Sequence, residues 1–523
     1  MAGGTCCRWF KHPRMRFLLP KEQQCPPLLD LCIRKITQEI EIHKHHTFSA
    51  LPPDLCQRIF NELVFSSCFL TPASLQAFLD CALQDIYLGE YDGAAVDDAW
   101  MEVISSQGSS LLHLDLSGSD VTDHGLTYLK DCKNIISLNF NHCHQISDRG
   151  LECISGLTRL ESLNIKWCNC IVDVDMKPLS ELTNLKILEI SFSKVTDFGI
   201  SFLKGLRKLA LLNLEGCHVT AACLDSLAEL PSLSNLNLSR CNLSNDGCEQ
   251  FSRLENLEVL NLGFNNVTDA CLAPLKGDLK CEPHSLSLST ILKRLTKLKS
   301  LNLDSCWIED EGLVHLAGHQ QLNCLELSDT GIGSDGLHYL SGLSSLEKLN
   351  LSFTMVNDSG LSKLCGLSSL KSLNLDARQV TDTGLASLTS LTGLTELDLF
   401  GARITDFGTN YLKCFKNLRL LEICGGELTD DGVKNIKELS SLTCLNLSQN
   451  CNLSDTTLEL ISGLTGLISL NISNSGITNA GLKHLKTLKN LRSLSLESCK
   501  VTANDIRKLQ STDLPNLVIF RPQ

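Results

Sequence analysis

The sequence predicts an α/β solenoid preceded by a helical region. A unit of Leu-x-x-Leu-x-Leu followed by Val/Ile-Thr-Asp-x-Gly-Leu recurs sixteen times between about residues 109 and 507. From Leu114 to Leu494 its central leucines are spaced by 24 or 25 residues, apart from one gap of 41 between Leu260 and Leu301. A fixed period of that length marks units that bury their apolar side only by stacking on their neighbours.

One unit shows how the elements follow. Around Leu373 and Leu375 the leucine alternation reads as a short strand. Thr381 and Asp382 then offer a helix N-cap, and Leu385 and Leu388 follow at helical spacing. Strand, turn and short helix in 24 residues give a leucine-rich-repeat horseshoe, strands inside and helices outside, adding one parallel strand per repeat. Removing residues 278–294 restores a 24-residue unit across the long gap, so that segment reads as a loop extruded between a helix and the next strand.

Composition narrows the function classes. Hydrophobic residues make up 43% and charged residues 20%, which suits an ordered chain. The net charge of −13 disfavours nucleic acid and anionic membrane surfaces as partners. No apolar run approaches a bilayer span, and residues 1–22 lack the apolar core of a secretory signal.

There are 26 cysteines. Many, such as Cys143, Cys168, Cys217 and Cys306, stand five residues after a central leucine, in a slot that other repeats fill with Asn, Ser or Thr. A small inward-turning side chain suits the slot, where a thiol acts as a buried small hydrophobe. Free thiols point to a reducing compartment, cytoplasmic or nuclear.

The repeat resembles the cysteine-containing subclass of leucine-rich repeats found in F-box receptors, over residues 109–523. Residues 1–23 read as a flexible tail and 24–108 as a helical adaptor-binding or capping region. Within it, Leu51, Pro52, Leu55, Ile59 and Leu63 resemble the opening of an F-box, which implies docking to a Skp-type adaptor of cullin–RING ubiquitin ligases. A second helix is expected from Thr71-Pro72 through Leu83. Pro27, Leu28, Cys32 and Ile36 are similar to an elongin C-binding box, the last three sharing one helix face. With Leu51-Pro52 after it, that pattern resembles the Zyg-type receptors.

Strand alternation turns the residue after each central leucine onto the inner face, where ten asparagines and five carboxylates form a polar, mildly acidic column. Candidate partner-binding residues are Asn213, Asn237, Asn302, Asn350 and Asp398 from the column, with Lys166, Trp167 and Phe400 as departures from its regularity. Phe264 and Phe353 are further aromatic departures. His142, Cys143 and His144 have ligand chemistry without the paired spacing of a zinc site, and no phosphate loop, nucleophile elbow or metalloprotease motif occurs. No cofactor and no catalysis are expected. The reading is a substrate-recognition subunit of a cullin–RING ligase, binding a protein target through the repeats and an adaptor through the N-terminal helices. The alternative is a ligase-independent interaction scaffold or inhibitor.

Overall fold

The computed structural model describes residues 28–39, 47–65, 70–89, 95–272, 295–376 and 378–521. Helix α1 (Leu28–Gln38) packs on α2 (Pro53–Phe65), and strand β1 (Asp85–Tyr87) opens the sheet. From β1 to β18 (Ile519–Arg521) each strand pairs in parallel with the next in sequence, giving one sheet of 18 strands. The central leucines are in register, Leu373 facing Leu349 on one side and Leu397 on the other. Two strands join the sixteen expected repeats: β1 in front and β18 behind. Neither has the full motif.

The long gap leaves the sheet intact. Val259–Asn261 pairs directly with Ser300–Asn302. The expected inserted loop, 278–294, lies outside the described residues, as do Pro27, the tail 1–23 and its cysteines.

The Thr-Asp-x-Gly motif joins repeats as well as capping helices. Thr381 caps its own helix by accepting from the Thr383 N–H. Its own N–H and hydroxyl also donate to the Asp358 carboxylate of the preceding repeat, at 2.8 and 2.6 Å. Asp382 does the same for Thr405, Asp406 for Thr429 and Asp455 for Thr478. Asp406 also accepts from the Gly432 N–H at 3.0 Å. The motif glycine makes room for that carboxylate: a Cβ at Gly432 would lie 2.5 Å from Asp406 Oδ1.

The cysteine slot is likewise a polar device. Cys143 Sγ donates to the Leu116 carbonyl one repeat back at 3.1 Å, and Cys168 to Phe140 at 3.1 Å. Asn265 and Asn450 use Nδ2 on the equivalent carbonyls, Leu238 and Ile423, at 2.8 Å. This amends the small-hydrophobe reading: where the slot holds Cys or Asn, the buried side chain is also a hydrogen-bond donor. Burial pushes the Cys143 thiol up, which keeps the proton it donates.

Cys248 and Cys271 are an exception to the expectation of free thiols, forming a disulfide between consecutive repeats with Cα atoms 5.3 Å apart. Cys271 occupies the motif's glycine position and Cys248 its leucine position one repeat earlier.

The helix at Thr71 begins as expected, with Thr71 as N-cap and Pro72 first. It ends by Phe78 rather than running to Leu83, since Asp80 and Ala82 take positive φ of 54° and 55°. Ile59, Phe60, Leu63 and Phe78 are buried together, with Phe60 and Phe78 ring centres 5.4 Å apart. Gln57 on α2 closes the sheet edge: Oε1 accepts from Gln84 and Asp85 N–H, and Nε2 donates to the Asp85 carbonyl.

Because the Asp406 carboxylate fills the space beside Gly432, Gly432→Ala and Asp406→Ala should each destabilise by about 1–3 kcal/mol. Urea unfolding of the double variant should show less than the sum of the two losses, since removing the carboxylate frees room for the new methyl.

Candidate functional site

The strand face presents one repeated polar position, and its chemistry is largely spent on the backbone. Asn213 Oδ1 accepts from the Glu215 N–H at 3.1 Å, Asn302 from Asp304 at 2.8 Å and Asn350 from Ser352 at 3.0 Å. Asn237 and Asp398 do the same for Ser239 and Phe400. Asn and Asp place an acceptor at that reach, which accounts for their predominance in the column. Asn213, Asn237 and Asn302 are buried, Asn350 and Asp398 half-buried. The first three therefore hold the turn after the strand and offer little surface to a partner.

Glutamates in the column act differently. Glu422 Oε2 accepts from Asn446 Nδ2 at 2.8 Å, across to the next strand. Around it the face is acidic. Burial, then the charge of Glu422, pushes the Asp398 carboxyl up to about 6. Burial also raises Glu326, Asp304 and Asp376 above the ordinary carboxylate range. Beyond Glu422, a concavity of about 300 Å³ lies between Cys444, Asn446, Ser469, Asn471 and Ser495.

The other half of the face differs in kind. The residue four after each central leucine is left-handed in every described repeat, and half of the sixteen repeats place Gly, Ser, Asn or Asp there. Between the third and eighth strands it is His142, Trp167, Phe192, Gly216, Arg240 and Phe264. His142 and Trp167 stack at 5.6 Å and 7°, Trp167 and Phe192 at 3.9 Å and 6°. Phe192 lies over Gly216, where a Cβ would come 2.6 Å from its ring. Lys166 Nζ sits 5.6 Å from the Phe192 ring centre, and the Arg240 guanidinium 3.8 Å from that of Phe264.

Trp167 and Lys166 are thus brought together, half-exposed, while Phe400 is half-exposed on the acidic half. Phe353, also left-handed, is 65% exposed. Sequence reasoning missed Phe192 and Arg240; the signal was a bulky side chain at a position that other repeats give to small ones.

At the N-terminal end, Ile59 and Leu63 are fully buried, Leu51, Leu55 and Ile36 half-buried, and Pro52 exposed. Leu28 is 78% exposed, with Leu29, Leu31 and Cys32 also exposed on α1. Ion pairs Arg58–Asp30 and Arg34–Glu62 join α1 to α2 at the surface. Cys143 is spent on a carbonyl, and no cluster of three metal-ligating side chains occurs among the described residues. Among them, no helix is long and apolar enough to cross a membrane.

A leucine-rich-repeat family model matches residues 109–130, 131–155, 229–252, 253–275, 294–317 and 342–365. No curated protein matches the chain. A leucine-rich-repeat protein of Leptospira interrogans is similar in structure, at 20% identity and a TM-score of 0.49, covering 78% of this chain and 95% of its own. Internalin inlF of Listeria monocytogenes is similar at 22% identity and a TM-score of 0.36, over 73% of this chain and 90% of its own. The plant peptide hormone receptor RGFR1, in complex with RGF2, is similar at 15% identity and a TM-score of 0.42, over 87% of this chain and 81% of its own.

The raised carboxyl of Asp398 gives a pH test. The folded chain holds its proton up to about pH 6 while the unfolded chain loses it near the ordinary value of 3.8, so this group's stabilisation fades as pH rises through that window. Asp398→Asn keeps the acceptor for Phe400 and should stabilise at pH 7 by about 1–3 kcal/mol. Its denaturation midpoint should change less between pH 4 and 7 than that of the unsubstituted chain.

Proposed function

We propose that this leucine-rich-repeat protein is a non-catalytic receptor, gripping a protein target on its strand face while α1 docks an adaptor of a cullin–RING ubiquitin ligase. Its contribution to ubiquitin transfer would be proximity. The observation that carries the reading is an apolar side of α1 that is exposed among the described residues: Leu28, Leu29, Leu31 and Cys32 are exposed on a helix whose Ile33 and Thr37 are buried. Solvent-facing leucines grouped on one short helix mark a place where another chain sits.

The same exposure favours an elongin C-type adaptor over a Skp-type one. Leu28 and Cys32 of the elongin-box pattern face outward, with Ile36 half-buried behind them. Ile59 and Leu63 of the F-box-like pattern are committed to the core, where they hold α2 as a cap. That commitment is what favours the second reading, a ligase-independent scaffold whose N-terminal helices only close the sheet.

Co-purification from cells decides between the two. The full chain should bring down elongin C and a cullin, and Leu28→Glu with Cys32→Glu should lose both while retaining its circular dichroism. Adaptor never recovered with the unsubstituted chain would leave the scaffold reading standing, and adaptor retained by the variant would contradict docking through α1.

A further inference from the structure

We propose that the ladder His142–Trp167–Phe192, with Lys166 and Arg240 beside it, is a docking site for an acidic peptide segment of the target. The inference rests on reading the strand face as the target-binding surface, and names the chemistry one half of it accepts.

Three observations point there. Trp167 has both ring faces covered, by His142 and by Phe192, and Phe192 has its second face on Gly216. Both rings are half-exposed, so what they show to solvent is their edges. Ring edges carry the positive end of the aromatic quadrupole and attract carboxylates, whereas free faces would attract cations or planar groups.

Charge agrees with this. Among the residues one, three, four and six after the central leucines of these six repeats, the cations are Lys166, Lys194 and Arg240, accompanied by His142, His144 and His218, and they outnumber the two carboxylates, Glu189 in the strand column and Glu215, 3.7 Å from Arg240. Along the next repeats the same positions carry Asp304, Asp329 and Asp376. The face is split in sign, and an acidic segment has one place to lie.

Backbone conformation is the third observation. His142, Trp167 and Phe192 hold φ of 61°, 60° and 57°, a region costly for bulky residues. Other repeats fill the position with Gly401, Gly425 or Asn474, so the fold does not need rings there.

A polynucleotide fits less well. Its bases need open ring faces, and its phosphates would run on into the acidic half of the face.

The test uses the purified full chain and a fluorescein-labelled peptide alternating Glu and Ser, with a Lys-Ser peptide and a single-stranded oligonucleotide as comparisons. The Glu peptide should bind, weaken with added salt and outcompete both. Trp167→Gly removes the central ring where glycine is at ease, so it should weaken binding more than about tenfold without lowering the melting temperature. If that variant unfolds, Lys166→Glu with Lys194→Glu decides, and should show the same loss. Equal binding of the Lys peptide, stronger binding of the oligonucleotide, or unchanged affinity in the charge-reversed variant would each overturn the site. None of those results bears on elongin C co-purification, so the adaptor assignment stands or falls separately.

Discussion

The carboxylate that each Thr-Asp-x-Gly motif lends to the next repeat is the contact on which the rest of the molecule depends. A repeat of 24 residues cannot bury its leucines alone, and stacking leaves the start of each short helix with unpaired N–H groups. Asp358, Asp382, Asp406 and Asp455 meet both needs at once, accepting from the next repeat's threonine N–H and hydroxyl. Charge-assisted bonds of this kind are short and directional, so they set the rotation between neighbours as well as holding them. On the strand side the repeats with Cys or Asn in the slot add a complementary tie, from the turn to a carbonyl one repeat back.

With the joints assigned to those two positions, the strand face is released from structural duty except at the Asn/Asp column, which is tied to its own turns. What remains variable there separates by sign and by shape. One stretch carries stacked rings and cations, the next carries carboxyl groups that burial shifts upward from their ordinary values. A long surface that changes character along its length suits an extended partner better than a compact one. The exposed leucines of α1 lie on the helical cap before β1, away from both stretches in sequence. The proposed target grip and the proposed adaptor docking would therefore use different residues.

Most of the architecture was legible because the period is strict and each leucine has one possible direction to face. The first and last strands were not, since Asp85–Tyr87 and Ile519–Arg521 lack the motif and are recognisable only by their pairing. The column was visible as a column, but its burial was not: alternation says that Asn213 faces inward, not that its oxygen is taken by Glu215. Ile59 and Leu63 read equally well as a docking face or a core face, because an amphipathic helix shows the same spacing for either. Trp167 stood out as irregular, whereas its partnership with Phe192 needed the left-handed turn that brings successive repeats' rings into line.

Amide hydrogen exchange tests the central claim most directly, by reading the joint itself. In the unsubstituted chain the Thr429 N–H should be protected to the level of the surrounding strands, although it lies outside them at the start of a short helix. Replacing Asp406 by Ala should release that amide and its immediate neighbours while leaving the Thr381 amide, held by Asp358, unchanged. Protection of Thr429 that survives the replacement would show that stacking alone sets the solenoid, with the carboxylates only decorating it.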